Sequence, residues 1–330
     1  MRKMLRLLTV GTAVLMLTGC SGTTKDTPKE ADKGWPTGTV TIFVPSKAGS
    51  NMDIKARIVS KYLGGELGQS VVVENRPGAG GVTACTQFLT EVPNSNSIEY
   101  MAASNLAVSP LYNDVEFTAD DFAIAAGLDT VENGIFVDAS LGITTLEELK
   151  EYGKDKVVKF SSAGLGNDSF LMCKALMEFM GLQSDNISGD SFPDCMINVI
   201  SGNADICYSA LNIASQYVEE GTLIPLAVYS EKDFTGYKDF GFDSVPTLKS
   251  QGYDISYSTI TWFALRGGSD EKNVGILAEA LNNIYKNEEF LKEMKDAGFV
   301  MMEDTSTEKV TEIAGDIIEQ CKNLSETISK

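Results

Sequence analysis

The sequence predicts an α/β protein built as two lobes, and three observations carry that prediction. Short β-branched apolar runs alternate with amphipathic segments of helical period, the pattern of a mostly parallel sheet covered on both faces. The alternation starts again near Thr144, after a first series that closes with Gly134–Val137. A length of 330 residues also suits two lobes better than one hydrophobic core.

In the first series Val40–Val44 reads as a strand, and Asp53 to Leu63 places Ile54, Ile58, Val59 and Tyr62 on one helical face. Val71 to Glu74 is the next strand. The Asn75-Arg-Pro-Gly-Ala-Gly-Gly81 that follows is turn chemistry leading into a helix from Val82 to Leu89. Strands are expected at Tyr100 to Ala103, Phe122 to Leu128 and Gly134 to Val137. In the second series Thr145-Leu-Glu-Glu148 forms a capping box before a short helix. Val157 to Phe160 reads as a strand, Ser161 to Asp168 as a Gly-containing loop and Ser169 to Met180 as a helix. A helix from Pro193 to Ile200, strands at Asp205 to Tyr208 and Leu223 to Tyr229, and an irregular stretch from Ser230 to Asp254 come next. A late strand at Trp262 to Leu265 and helices near 271–286, 288–297 and 307–328 complete the chain.

Composition removes several function classes. The chain has no histidine, so Ser-His-Asp and Cys-His nucleophile systems, His-ligated zinc and a His general base are excluded. A formal net charge of −19, with no basic stretch, would be repelled by phosphates, so no nucleic-acid partner is expected. There is no GxxxxGK[ST] P-loop, and the second Gly-containing loop lacks the third Gly of a dinucleotide fingerprint. The scattered Cys85, Cys173, Cys195, Cys207 and Cys321 show no CxxC spacing. They read as small core hydrophobes, one disulfide pair remaining open, and neither a metal site nor a cofactor is expected.

The amino terminus reads as an address. Arg2, Lys3 and Arg6 precede an apolar run from Leu7 to Leu17, shorter than the roughly 20 residues that span a bilayer, which is the layout of a secretory signal. Leu17-Thr18-Gly19-Cys20 looks like a bacterial lipobox, so residues 1–19 are expected to be removed and Cys20 to carry the lipid that anchors the protein to a membrane surface. The charge then becomes about −22. Ser21 to Gly34 has no large apolar side chain and reads as a flexible tether within residues 20–34.

The most informative local feature occurs twice. Val44-Pro-Ser-Lys-Ala-Gly-Ser-Asn-Met-Asp53 and Phe160-Ser-Ser-Ala-Gly-Leu-Gly-Asn-Asp-Ser169 are each a strand end, a loop of small residues and a helix start. Small residues allow close approach of backbone, and the first N–H groups of a helix lack intrahelical partners and carry partial positive charge. Such an end accepts a carboxylate or phosphate without a basic side chain. In open α/β sheets ligands sit beyond the carboxyl ends of strands, so two lobes presenting one such loop each would clamp a small anion. Asp53 and Asp168 also have an explanation as helix caps, which for Asp53 is compatible with ligand contact.

These residues carry a resemblance. Trp35-Pro36, Val44-Pro45 with Ala48-Gly49 and Asp53, Leu67-Gly68-Gln69 and above all Glu74-Asn-Arg-Pro-Gly-Ala-Gly-Gly81 resemble the solute-binding receptors of tripartite tricarboxylate transporters, the Bug family. Further matches are Pro110-Leu-Tyr112, Ser162-Ala-Gly164 with Gly166 and Ser169, Gly202 with Asp205, Val245-Pro-Thr247 and Trp262-Phe263, so the likeness runs from about residue 35 to 325. It implies a type 2 periplasmic-binding-protein fold with a ligand cleft and two crossovers between lobes. Lobe one would hold residues 35–135 plus 258–330 and lobe two residues 136–257. It also implies a small carboxylate ligand held largely by backbone N–H groups in the two loops, a monomer, and delivery to a large and a small integral membrane subunit with ion-coupled uptake. The ligand-binding candidates are Ser46, Ala48, Gly49, Ser50, Asn51, Asp53, Ser104, Ser162, Ala163, Gly164, Gly166, Asn167, Asp168, Ser169 and Asp190, with no catalytic residue.

Departures from the family pattern bear on the ligand. Ser50-Asn51-Met52 replace the usual Gly-Gly-Thr, and Asn167-Asp168 stand where Thr-Ser is common. Gly189-Asp190-Ser191-Phe192 replaces a segment with an aromatic and a cation, and Phe170 stands where a His often follows. Like charges about 4 Å apart repel by roughly 4 kcal/mol at an effective dielectric near 20. A tricarboxylate would therefore fit poorly beside Asp53 and Asp168, and an amino acid, hydroxy acid or dicarboxylate would fit better. Lys47 and Arg76 are expected to be solvated or packed on their loops, and Trp262 to lie in the core. Two other readings stand beside the receptor: a ligand-sensing lipoprotein without a transport role, and a His-independent secreted hydrolase. No GxSxG elbow and no Ser-x-x-Lys at a loop-helix junction supports the hydrolase.

Overall fold

A computed structural model describes residues 34–328, so the signal segment, Cys20 and the tether before Gly34 lie outside the described residues. From Trp35 onward the chain is one compact unit. It opens with strand β1 (Val40–Val44), helix α1 (Asn51–Leu67), β2 (Val71–Asn75), α2 (Val82–Phe88) and β3 (Ser97–Ala102). The two short helices α3 (Ser104–Ala107) and α4 (Ser109–Tyr112) lead to β4 (Phe122–Val131), which runs through Glu132 straight into β5 (Asn133–Asp138).

The second series is α5 (Leu146–Gly153), β6 (Val158–Ser162), α6 (Asp168–Met180), β7 (Ser184–Ser188), α7 (Phe192–Ile200), β8 (Ile206–Ala210), α8 (Leu211–Glu219) and β9 (Leu223–Val228). A long irregular segment then returns to β10 (Thr259–Arg266), followed by α9 (Glu271–Ile284), α10 (Glu288–Asp296), β11 (Val300–Met301) and α11 (Thr307–Ile328).

The strands form two sheets. One has the order β11-β4-β10-β3-β1-β2 and the other β7-β6-β8-β5-β9. In each, three strands from a βαβαβ unit are parallel, with the first strand of the unit in the middle: β1 between β2 and β3, β6 between β7 and β8. The strands that join these triplets run antiparallel, β10 against β3 and β4, and β5 against β8 and β9. The expectation of mostly parallel sheets is thus corrected to mixed ones. The antiparallel members include the crossover strands: β4 of the first sheet passes through one residue into β5 of the second, and β10 returns to the first, each entering its sheet against the parallel triplet.

Helices cover both faces of both sheets. Apolar side chains of α1, α9 and α10 pack with Ile42, Tyr100 and Phe263 on one face of the first sheet. A larger core joins the other face of that sheet to α6 and to Phe160 and Tyr208 of the second. Helix α11 lies across this junction and packs on α3, β4 and α6. Its Val310, Ala314, Ile317 and Cys321 point inward at helical spacing. All five cysteines of the described body are buried and free, in line with their reading as core hydrophobes. Trp262 is fully buried.

Some elements were not marked in the sequence. Ser184–Ser188 is a polar edge strand, α8 starts directly after β8 without a side-chain cap, and β11 is two residues long.

One helix position breaks the apolar rule. Lys55 of α1 is 1% exposed, and its Nζ pairs with Asp129 Oδ2 of β4 at 2.5 Å and lies over the Phe299 ring. Asp129 Oδ1 accepts from Thr261 Oγ1, which in turn accepts from Tyr100 at 2.9 Å. Removing one member of a buried pair leaves the other charged and unpartnered. Lys55→Met is therefore expected to lower unfolding free energy in urea by about 3–5 kcal/mol, and Lys55→Met with Asp129→Leu to recover most of that loss.

Candidate functional site

The parallel triplets of the two sheets aim the carboxyl ends of their middle strands, β1 and β6, at one crevice. A cavity of about 550 Å³ lies there, within the usual range for a small-molecule site. Its walls come from four loops, those before α1, α2, α6 and α7, from the starts of α1, α6 and α7, from the junction of β3 with α3 and from the start of β10.

The β1–α1 loop is shaped by Asp53. This side chain is 3% exposed; its Oδ2 accepts from Gly49 N at 2.8 Å and its Oδ1 from Asn75 Nδ2 at 2.9 Å. Arg57 Nη2 closes an i,i+4 ion pair with it at 2.9 Å. Burial by itself would raise the Asp53 carboxyl, but the bonds from Arg57, Gly49 and Asn75 outweigh it and hold the group below its ordinary value. Ser50 caps α1 by accepting from Asp53 N, and its hydroxyl meets that of Ser46 at 2.6 Å. Ser46, Ser50 and Asn51 line the cavity, whereas Ala48, Gly49 and Asp53 do not. Asp53 turns its carboxylate onto its own loop.

The β6–α6 loop follows the same plan with different atoms. Asn167 is the cap, accepting from Ser169 N at 3.0 Å and Ser169 Oγ at 2.7 Å, and Ser169 Oγ accepts from Ala163 N at 2.9 Å. Ala163, Gly164, Asn167 and Asp168 line the cavity, together with Ser104 and Asp190 from other elements. Ser162, Gly166 and Ser169 do not: Ser162 Oγ donates to Asn186 at 2.7 Å, and Gly166 O accepts from Ser109 Oγ at 3.0 Å.

Asp168, the first residue of α6, is buried rather than turned to solvent. It is 3% exposed, with Oδ1 accepting from Ser169 N at 3.0 Å and Oδ2 reached only distantly by the Tyr208 hydroxyl, at 3.4 Å. Burial pushes its carboxyl up to about 6 against the partial relief of these bonds.

The segment Asn75–Gly81 is the site element that residue-by-residue reading passed over. Pro77 to Gly81 form a cavity wall. Ala79 has φ 47°, Gly80 64° and Gly81 100°, so the chain turns by left-handed steps. A Cβ at Gly80 would come within 2.7 Å of the Gly166 backbone, which is why this loop can lie against the β6–α6 loop of the other lobe. Asn105 Nδ2 and Ser109 Oγ both donate to Gly80 O, at 2.9 and 2.8 Å. The density of glycine was the signal. Lys55, Asn105, Thr259 and Thr261 also line the cavity, and nothing local marked them.

The lobes touch across the mouth. Lys47 forms an ion pair with Asp190, and Asn51 Nδ2 donates to Asn212 Oδ1 at 3.3 Å. The Asp190 hydrogen bond raises the Lys47 ammonium above its ordinary value. Lys47 is thus engaged across the cleft rather than solvated alone. Arg76, as expected, is packed on its loop, against the Phe43 ring and Glu74.

Two α/β lobes joined by two crossovers around such a cleft define a solute-binding protein of the periplasmic type. The chain belongs to the tripartite tricarboxylate transporter family receptors, whose family model matches residues 55–329. It is 29% identical over 232 residues to a UPF0065 protein of Bordetella bronchiseptica, covering 69% of each chain. The fold matches the periplasmic binding protein BugD with a TM-score of 0.78 at 23% identity, over 89% of this chain and 98% of that one. MatC from Rhodopseudomonas palustris, solved with bound malate, matches with a TM-score of 0.79 at 19% identity, over 88% of this chain and all of that one.

The position of Asp168 has a consequence for stability. Its folded-state value, about 6, lies above the ordinary 3.8, so its contribution is fully present below about pH 4 and is lost as pH rises through 6. The loss is on the order of 3 kcal/mol. Asp168→Asn is expected to melt above the parent protein at pH 7.5, with the difference shrinking towards pH 4.

Proposed function

We propose that this protein captures a small carboxylate-bearing metabolite between its lobes and delivers it to the large and small membrane subunits of an ion-coupled tripartite transporter. The observation that carries this reading is the crevice where the starts of α1 and α6 meet from opposite lobes, lined by small residues and backbone. Helix starts of this kind hold carboxylates through unpaired N–H groups. Among the candidates, Ser46, Ser50, Asn51, Ser104, Ala163, Gly164, Asn167, Asp168 and Asp190 would face the solute. Ala48, Gly49, Asp53, Ser162, Gly166 and Ser169 would hold the loops.

The boundaries 35–135 plus 258–330 and 136–257 describe the two lobes that would close on it. Cleavage before Cys20 and lipidation of its thiol would keep the receptor, as a monomer, on the outer face of the cell membrane. In this role the protein is no enzyme and needs no cofactor.

The ligand class follows from charge. The cations on the cleft wall, Lys47 and Lys55, already have carboxylate partners, and Asp168 adds a carboxyl. A solute with one or two carboxylates and a hydrogen-bond donor is favoured over a tricarboxylate. Malate bound to MatC is a solute of that kind.

Calorimetric titration with amino, hydroxy and dicarboxylic acids should give saturable binding without turnover; tight citrate binding with none of these would sink the reading. Native mass spectrometry of the purified protein should show a small acidic adduct. Because Lys47 and Asp190 meet only when the lobes are together, Lys47→Ala should speed ligand release several-fold in stopped-flow measurements. The melting temperature of the unliganded protein should hardly change, since exposed ion pairs contribute little.

A further inference from the structure

The floor of the cleft holds more oxygen atoms than partners. Thr259 Oγ1 lines the cavity at the start of β10, belongs to a residue 5% exposed, and makes no hydrogen bond among the described residues. The Tyr257 hydroxyl, on a residue 2% exposed, is likewise unpartnered. It lies beside both Asp168 and Thr259, with which it interacts, and is not itself part of the cavity wall. Buried hydroxyls left open in this way are costly unless something fills the space between them.

Asp168 has the complementary problem. A buried carboxylate needs a cation or a proton. The lysines on the cleft wall are engaged elsewhere, Lys47 with Asp190 and Lys55 with Asp129, and among the described residues no basic side chain pairs with Asp168. Its carboxyl sits high because burial outweighs the hydrogen bonds it accepts. A primary ammonium group has three N–H donors and no acceptor. It would find on the cavity wall the Asp168 carboxylate and the Thr259 hydroxyl, with the Tyr257 hydroxyl behind them.

We propose that Asp168, Thr259 and Tyr257 form a subsite for a primary ammonium group, so that the solute of this receptor is an amino carboxylate. The inference rests on the carboxylate reading above, since the ligand's carboxylate would occupy the two helix starts while its ammonium enters this corner. The three residues come from α6 of one lobe, from β10 of the other and from the crossover between them. An ammonium bound there would therefore also tie the lobes together at the floor, opposite the Lys47–Asp190 contact at the mouth.

The test uses matched trios on one skeleton, titrated by calorimetry into the purified protein: aspartate, malate and succinate; glutamate, 2-hydroxyglutarate and glutarate; alanine, lactate and propionate. In any trio that binds, the amine should bind at least about 10-fold more tightly than both analogues, the scale of hydrogen bonds to a charged group. Asp168→Asn should remove most of that preference while leaving the hydroxy analogue within a few-fold. Thr259→Val, which keeps shape and deletes one acceptor, should weaken the amine several-fold even if Asp168→Asn folds poorly. A hydroxy or unsubstituted analogue binding as tightly as the amine would overturn the subsite alone, as would an amine preference that survives both substitutions. Binding by no member of any trio would overturn the carboxylate reading and the subsite with it.

Discussion

The structure depends on a single geometric constraint: the carboxyl ends of β1 and β6 must face each other across one crevice. Each of these strands is the middle member of a parallel triplet, so the loop after it emerges where neighbouring loops flank it. The helix that follows then points its unpaired N–H groups into the same space. Much else in the chain supports that alignment. Asp53 and Asn75 hold the first loop in shape, Asn167 and Ser169 hold the second, and Asn105 and Ser109 pin the glycine-rich wall between them.

Charge shows why this arrangement suits the chain. A formal net charge of −19 is an unpromising background for a carboxylate receptor. Basic side chains at the cleft do not offset it, because Lys47 and Lys55 each have an acidic partner. The backbone carries the positive end instead, fixed in place by the fold and insensitive to titration. The carboxylates near the helix starts are used in two ways. Asp53 is fully hydrogen-bonded and held ionised, while Asp168 is buried with incomplete partners and sits high.

The two lobes share one continuous core on the α11 side and meet through side chains on the cleft side. That division assigns different work to the two edges. The apolar junction under α11 is insensitive to salt and ligand, whereas the polar contacts at the mouth are exposed and weak one by one.

How much could be read in advance follows the same physics. Strands β1, β6 and β9 and helices α1, α6, α7, α9, α10 and α11 were legible to within a few residues, because periodicity and caps are local. The polar edge strand Ser184–Ser188 and helix α8 were not, because neighbours rather than composition stabilise them. The crossover strands were expected, but not their antiparallel direction, which is set by where the chain comes from.

The sequence by itself determined the two strand-loop-helix units, their caps, their small residues and the charge that excludes several chemistries. Only the tertiary structure decided which atoms of those loops face the cleft. Asp53 turns onto its own loop because Arg57 and Asn75 are there to bind it, and Asp168 stays in the cleft floor because no cation reaches it. Thr259 and the Pro77–Gly81 wall join the site from far along the chain. A side chain's facing is a property of packing between elements, and no local pattern in the sequence encodes it.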